Sequence, residues 1–590
     1  MNRKKSYFTR FLVWRYKHIS SKNFIYILSV VVGLLAGLAS VALKNLTHFI
    51  LQAFETGAFQ SYHGYFYFIF PFVGLLLVLL VKKYFLRSEV DHGIPMALYS
   101  ISQKGGKMNR KNMISSLFTA PLTVGFGGSV GLEGPSVATG ASLGANLAEL
   151  FHLNPQTRKL LLVCAAAGSL SAIFKAPIAA ILFAIEVFSL DLTLASMLPL
   201  LLASISAVVT RIFFIGEQYI VEFFNTGDFE MGDILYYALL GVLTAMISIY
   251  FTKTYFVAQH SFSKIKNDYL KITVAGVILG VLIFMIPPLY GEGFRFMNNL
   301  VFQNYNTAFQ GFLYPEWISN PWIIIALLAG LVLLKPIATS TTLHGGGVGG
   351  IFAPTLFLGA VCGNLFVHIF GRLGINLPTG DYTLIGMAGL LAGVLQAPLT
   401  AIFLIAETTG GYELFIPLMI TVSISFLITK NSLRYTVYTK ELVEKNELVT
   451  HDKDHAVLML LQLERIVEHN FVVLRPEMTL KQMLHQAVVK SKRNLFPVVN
   501  EKQELIGVIT LDDIREIMFD PALQDSVLVE FLMHDPPDFI NFEEDKMQRI
   551  MNKFQNTGAW NLPVIKNGKY YGFVSKSKIL TAYRQKLRSY

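Results

Sequence analysis

Between residues 23 and 429 the chain is built from apolar runs of membrane-spanning length, and after about residue 440 such runs cease. The first extends from Asn23 to Lys44. Others lie near 65–87, 160–188, 192–214, 234–257, 271–288, 321–340, 352–371, 382–406 and 414–429. About 20 apolar residues in a helix cross the hydrocarbon core of a bilayer. Glycine and proline interrupt several runs, at 125–135, at 344–354, and at the Ala-Pro steps 176–177 and 397–398. Non-helical backbone at membrane depth is tolerated only inside protein or along a cavity. Broken helices in corresponding halves of a chain point to a transporter binding site.

The interruptions correspond. The segment from Lys175 to Glu186 (KAPIAAILFAIE) parallels that from Gln396 to Glu407 (QAPLTAIFLIAE), and each carries a glutamate nine residues after its proline. Upstream, Gly131 to Pro135 (GLEGP) parallels Gly350 to Pro354 (GIFAP). Two motifs in the same order, both repeated after about 220 residues, imply an internal duplication. Beyond residue 440 charged residues become frequent and a second, smaller repeat begins. Residues 494–500 (NLFPVVN) lead to 507–513 (GVITLDD), and residues 561–565 (NLPVI) lead to 572–578 (GFVSKSK). Short β-branched runs bounded by Asn and Gly read as strands, with helices between them. The expected organisation is a basic segment over 1–22, an all-α membrane domain over 23–442, a linker over 443–463, and two α+β units over 464–520 and 521–590.

Composition agrees. Hydrophobic residues make up 53% of the 590 and charged residues 15%, whereas a soluble domain has about a quarter charged. The formal charge of +10 raises nucleic acid as a partner. Basic residues also collect on cytoplasmic segments of membrane proteins, and Arg3, Lys4, Lys5, Arg10, Arg15, Lys17 and Lys22 precede the first run. The reading is therefore a multi-pass protein with a cytoplasmic amino terminus and no nucleic-acid partner. No small-residue cleavage site follows the first run, so it reads as a span and not a removable leader. Cys164 and Cys362 lie in apolar stretches, with spacing for neither a disulfide framework nor a zinc site.

The glycine-rich segments carry the chemistry. Residues 127–135 (GGSVGLEGP) turn tightly at glycines and enter a helix at proline. A helix start directs free amides and a positive dipole end at one point, which is an anion site. Residues 345–354 (GGGVGGIFAP) offer the same chemistry from the other half. Glu133 stands at the first of these starts, and a carboxylate at membrane depth is a functional group by default. It can fill the anion site itself or leave on protonation, which makes it a gate opened by acid; the alternative is a carboxylate that only stabilises the helix dipole. Glu186 and Glu407 read first as structural hydrogen-bonding groups, with a proton path through Glu133 and Glu186 as the alternative.

With Gly131 to Pro135, Gly350 to Pro354, residues 92–95 (HGIP) and residues 438–442 (YTKEL) in this order, the chain resembles the CLC chloride channel and transporter family. Its tail resembles a pair of CBS domains. The resemblance implies inverted repeats, a homodimer in the plasma membrane with cytoplasmic CBS domains, and chloride or a similar small anion as the transported species. It implies Glu133 as the gating glutamate, with the central anion held by the amides of Ile351 and Phe352 and the hydroxyl of Tyr438. It further implies that Thr510 and Asp513 hydrogen-bond the ribose of an adenine nucleotide; a purely structural CBS pair is the alternative.

The chain departs from the family pattern at several points. The usual serine of the first anion-binding segment is His92, followed by Gly93, and an imidazole N–H can still donate there. The basic residue common before the gating glutamate is Leu132. At Val187 family antiporters often carry a second glutamate that relays protons inward. Valine cannot, and on this ground a gated channel is favoured over a proton-coupled H+/Cl− antiporter. In the second CBS unit Ser575 is kept, but Lys578 replaces the acid. A membrane metalloprotease is excluded by the lack of a His-Glu-x-x-His motif, with His92 and His344 isolated in sequence. A CBS-bearing cation transporter would need several acids in the apolar core, where glycine-rich helix starts predominate. No enzymatic function and no metal are expected.

Overall fold

The computed structural model describes residues 7–55, 63–86, 93–190, 193–217, 231–309, 312, 320–444, 461, 463–545 and 547–588. Two compact units divide the chain, Met1–Leu448 and Val449–Tyr590. His92 lies outside the described residues, as does most of the 443–463 segment expected as a linker.

The first unit is all-helical. A basic helix α1 (Tyr7–His18) precedes α2 (Ser21–Glu55), α3 (His63–Leu80), α4 (Ile94–Gln103), α5 (Asn112–Gly125), α6 (Glu133–Leu150), α7 (Pro155–Phe174), α8 (Pro177–Glu186) and α9 (Leu194–Ile215). The second half comprises α10 (Ile234–Ser263), α11 (Asp268–Met285), α12 (Phe294–Val301), α13 (Tyr305–Ala308), α14 (Pro321–His344), α15 (Phe352–Arg372), α16 (Thr379–Leu395), α17 (Pro398–Thr409) and α18 (Phe415–Ser432). Among the described residues, nine helices are long and apolar enough to cross a membrane. At 1.5 Å per residue the 35 residues of α2 reach about 52 Å, which exceeds the hydrocarbon core and requires tilt.

The apolar runs 160–188 and 382–406 are each two helices, not one. Lys175 and Gln396 end α7 and α16 in the left-handed region (φ 59° and 54°). Ala176 and Ala397 follow with nearly identical backbone (φ −129° and −127°), and Pro177 and Pro398 then open α8 and α17. Proline fits the first helical turn because its missing N–H has no partner to lose. By contrast α5 and α6 do not stand out as hydropathic runs. They are rich in Gly, Ser, Thr and Ala, residues that let helices approach closely in a membrane.

Packing repeats with the sequence. In the first half α2 packs on α7 and α9, and α7 on α6; in the second α10 packs on α16 and α18, and α16 on α15. The halves meet where α8 packs on α17. Glu186 accepts hydrogen bonds from the amides of Leu399 (2.9 Å) and Thr400 (2.8 Å) and from the Thr400 hydroxyl. Glu407 accepts from the amides of Ile178 (3.0 Å) and Ala179 (2.8 Å). Each glutamate caps the other's helix. Exchange of this kind is what a local two-fold axis produces, so the repeats are related by rotation and not by translation.

The tail unit is α+β. Strand β1 (Leu495–Val499) pairs antiparallel with β2 (Leu505–Thr510). Strand β3 (Ile540–Asn541) pairs parallel with β4 (Asn561–Lys566), which pairs antiparallel with β5 (Lys569–Ser575). Leu474 bridges Val498 in parallel, the counterpart of β3 on β4. The hairpins are each joined by the segment at the other's entrance: Val508 bridges His534 and Phe573 bridges Glu468.

Candidate functional site

Two glycine-rich turns bring the starts of α6 and α15 together. Gly131 and Gly350 form an antiparallel bridge and exchange both backbone hydrogen bonds, at 2.9 and 2.7 Å. The contact depends on bare backbone. A Cβ on Gly350 would sit 2.7 Å from the Gly134 nitrogen, and one on Gly131 would sit 1.9 Å from Glu133 Oε2. Leu132 and Ile351 precede the helices with matching backbone (φ −89° and −93°). The first amides of a helix have no partner within it, so Glu133 and Gly134 on one side, and Phe352 and Ala353 on the other, present N–H groups to a shared space. Pro135 and Pro354 follow at the third position of each helix.

Glu133 is fully buried, and its carboxylate faces its own amide and that of Ala353. Neither oxygen makes a hydrogen bond of full geometry. Phe352 is also fully buried and packs its ring on Phe174 (5.3 Å between centroids) and Phe183 (5.9 Å), which fixes the α15 start against α7 and α8. Tyr438 lies in the turn before the Lys440–Glu444 helix. Its hydroxyl is buried and, among the described residues, has no hydrogen-bond partner. Buried donors are ordinarily paired, so a site that directs helix-start amides and a tyrosine hydroxyl at one point suits an acceptor, whether carboxylate or anion.

Of the residues singled out from the sequence, the structure brings together Glu133, Ile351, Phe352 and Tyr438. Gly93 (φ 85°) precedes α4, which packs on α6. Glu186 is engaged by the α17 start, and Val187 follows the end of α8. In the tail, Asp513 Oδ2 accepts from the Thr510 amide and hydroxyl, both at 2.7 Å, and lies 3.2 Å from His534 Nε2. Ser575 donates to Glu468 at 3.1 Å, and Glu468 also pairs with Arg493 at 2.9 Å.

Sequence reasoning missed a charged cluster beside Glu133. Glu292 Oε1 accepts from the Leu132 amide at 3.1 Å. Lys335, fully buried in α14, donates to Ser129 Oγ at 2.7 Å and sits 4.4 Å from the Phe357 ring centroid. The signal was present as a lysine inside a long apolar helix and a glutamate between two glycines, each a charge at membrane depth.

A family described as Voltage gated chloride channel matches residues 73–430, more than half of the chain. The chain belongs to this family. A CBS domain is matched over residues 463–520. Among curated relatives of this chloride channel family member, the H(+)/Cl(-) exchange transporter ClcA of Yersinia pestis is 29% identical over 412 residues, covering 67% of this chain and 82% of the relative. The putative chloride channel protein ClcB-like of Ralstonia nicotianae is 28% identical over 388 residues, covering 64% and 85%. A solved slow cyanobacterial Cl−/H+ antiporter covers 72% of this chain and 98% of its own, with TM-score 0.59 and 22% identity. A eukaryotic CLC transporter covers 95% and 99%, with TM-score 0.59 and 18% identity. These structures share the fold.

Proposed function

We propose that this protein is a proton-coupled chloride exchanger, in which Glu133 alternates between filling the anion site and releasing it. The observation that carries the reading is a titratable carboxylate enclosed between two facing helix starts. Ionised, Glu133 competes with chloride for the amides around Ile351 and Phe352. Protonated, it has no charge for those dipoles to hold and swings aside. Chloride then loses water to the same amides and to the Tyr438 hydroxyl, without the tight grip that a buried arginine would impose.

Exchange replaces the gated channel that Val187 favoured. Relatives covering two thirds of the chain are named exchangers, and the absence of one inner carboxylate at position 187 does not outweigh them. Conduction remains the second reading, and Val187 is the observation in its favour. Glu186 is assigned a structural role, since three donors engage its carboxylate. The protein works as a homodimer in the plasma membrane, with its amino terminus and tail in the cytoplasm. A nucleotide at Thr510 and Asp513 would read the ribose through Asp513 Oδ1, because Oδ2 already serves Thr510. The test of the gate is chloride efflux from liposomes against pH. Wild-type flux rises as pH falls, and Glu133→Gln gives flux independent of pH. Unchanged pH dependence in Glu133→Gln would refute the assignment.

A further inference from the structure

The segment from Pro287 to Gly293 lies against the glycine turn that leads to Glu133, held by three hydrogen bonds with residues 125–132 and one from Lys335 of α14. Ser129 Oγ donates to the Leu289 carbonyl (2.6 Å), the Tyr290 hydroxyl to the Gly125 carbonyl (2.6 Å), and Lys335 Nζ to the Gly291 carbonyl (3.4 Å). The fourth is the bond from the Leu132 amide to Glu292 Oε1, at 3.1 Å. Leu132 is the residue immediately before Glu133. The segment therefore delivers a second carboxylate to the threshold of the gating helix. Glu292 is partly exposed, whereas Glu133 is fully buried.

We propose that Glu292 is a positioning residue for proton exchange at the gate, its carboxylate, held one residue from Glu133 by the Leu132 amide, setting the pH at which Glu133 takes up a proton. The inference rests on the gate reading of Glu133. Its physical basis is like-charge coupling: two carboxylates in one low-dielectric site resist being ionised together. Glu292 is partly exposed, accepts from the Leu132 amide and has lysines beside it, and each of these favours its ionised form over that of the enclosed Glu133. The charged groups near it are Lys44 of α2, Lys335 of α14 and Glu133 of α6, and the buried Arg211 of α9 is near Lys44. Lys44 and Lys335 offset part of the cost of holding Glu292 there, and Lys335 also donates to Ser129 and Gly291.

The arrangement also accounts for Leu132. A basic residue in front of the gate would favour the ionised form of Glu133, whereas an acid reaching the same peptide from Glu292 favours the protonated form.

The experiment is chloride efflux from liposomes holding the full-length protein, measured from pH 4 to pH 9 for wild type, Glu292→Gln, Lys44→Met and Glu133→Gln. Glutamine keeps an acceptor for the Leu132 amide, so only the charge is lost. The expected result is that Glu292→Gln moves the half-maximal pH of flux about one unit towards acid, while Lys44→Met moves it towards alkali. A half-maximal pH unchanged or moved to alkali in Glu292→Gln would overturn the proposal, provided that Glu133→Gln has lost its pH dependence. If Glu133→Gln kept that dependence, the gate reading would fail first, and this inference with it.

Discussion

Gly131 and Gly350, more than two hundred residues apart in sequence, donate a backbone hydrogen bond to each other's carbonyl. This exchange places the starts of two inverted-repeat helices at one point, and it tolerates no side chain. Gly350→Val would bring its Cβ against the Gly134 nitrogen, where an added Cβ stands 2.7 Å away. Overpacking of this kind costs roughly 1–3 kcal/mol. We expect a folded protein, lower in thermal stability, with chloride flux reduced at least tenfold. Efflux assays beside size-exclusion profiles in detergent check both parts.

Tyr438 carries a buried hydroxyl with no hydrogen-bond partner among the described residues. A neutral hydrogen bond contributes about 0.5–1.5 kcal/mol, so Tyr438→Phe should weaken chloride binding by several fold and leave the fold intact. Calorimetric titration with chloride reads this directly. Equal affinity in the variant would remove Tyr438 from the site.

Glu407 caps α8 as Glu186 caps α17. Losing a cap costs about 1 kcal/mol. Glu407→Ala and Glu186→Ala should each lower the unfolding temperature by a similar small amount, with transport per folded protein retained. A loss of proton coupling in Glu186→Gln would return Glu186 to the proton path.

In the tail, burial alone would push the Asp513 carboxyl up. The Thr510 amide and hydroxyl and the nearby His534 outweigh it, and hold the group below the ordinary carboxylate range. A carboxyl depressed in the folded state stabilises the fold above its unfolded pKa, roughly 3.9, and that stability is lost as pH falls through the folded value. The thermal midpoint of residues 449–590 should therefore fall more steeply below pH 4 in wild type than in Asp513→Asn. Parallel slopes would contradict the assignment. Adenosine triphosphate binding to the same unit, weakened by Asp513→Ala, tests the nucleotide reading.

Much of this was legible in the chain. The apolar runs gave the spans, and the paired GLEGP and GIFAP segments gave both helix starts. The paired KAPIAAILFAIE and QAPLTAIFLIAE segments gave the duplication but not its inversion. The two-fold relation between the repeats shows only in the structure, where Glu186 and Glu407 cap each other's helices, since a repeat in sequence has no hand. Glu292 escaped because its partner, the Leu132 amide, is a backbone group 160 residues away. Backbone donors leave no mark in a sequence. The Val187 argument and the exchangers named among the relatives point in opposite directions for a related reason: one position reports one side chain, whereas coupling depends on everything that surrounds Glu133.

The central claim is coupling of protons to chloride through Glu133. Purified protein in lightly buffered liposomes, given a chloride gradient and no initial pH gradient, tests it most directly. We predict that chloride moving down its gradient drives protons in the opposite direction, seen as a sustained pH change that Glu133→Gln abolishes. Brisk chloride flux with external pH unmoved would contradict exchange and make the protein a channel.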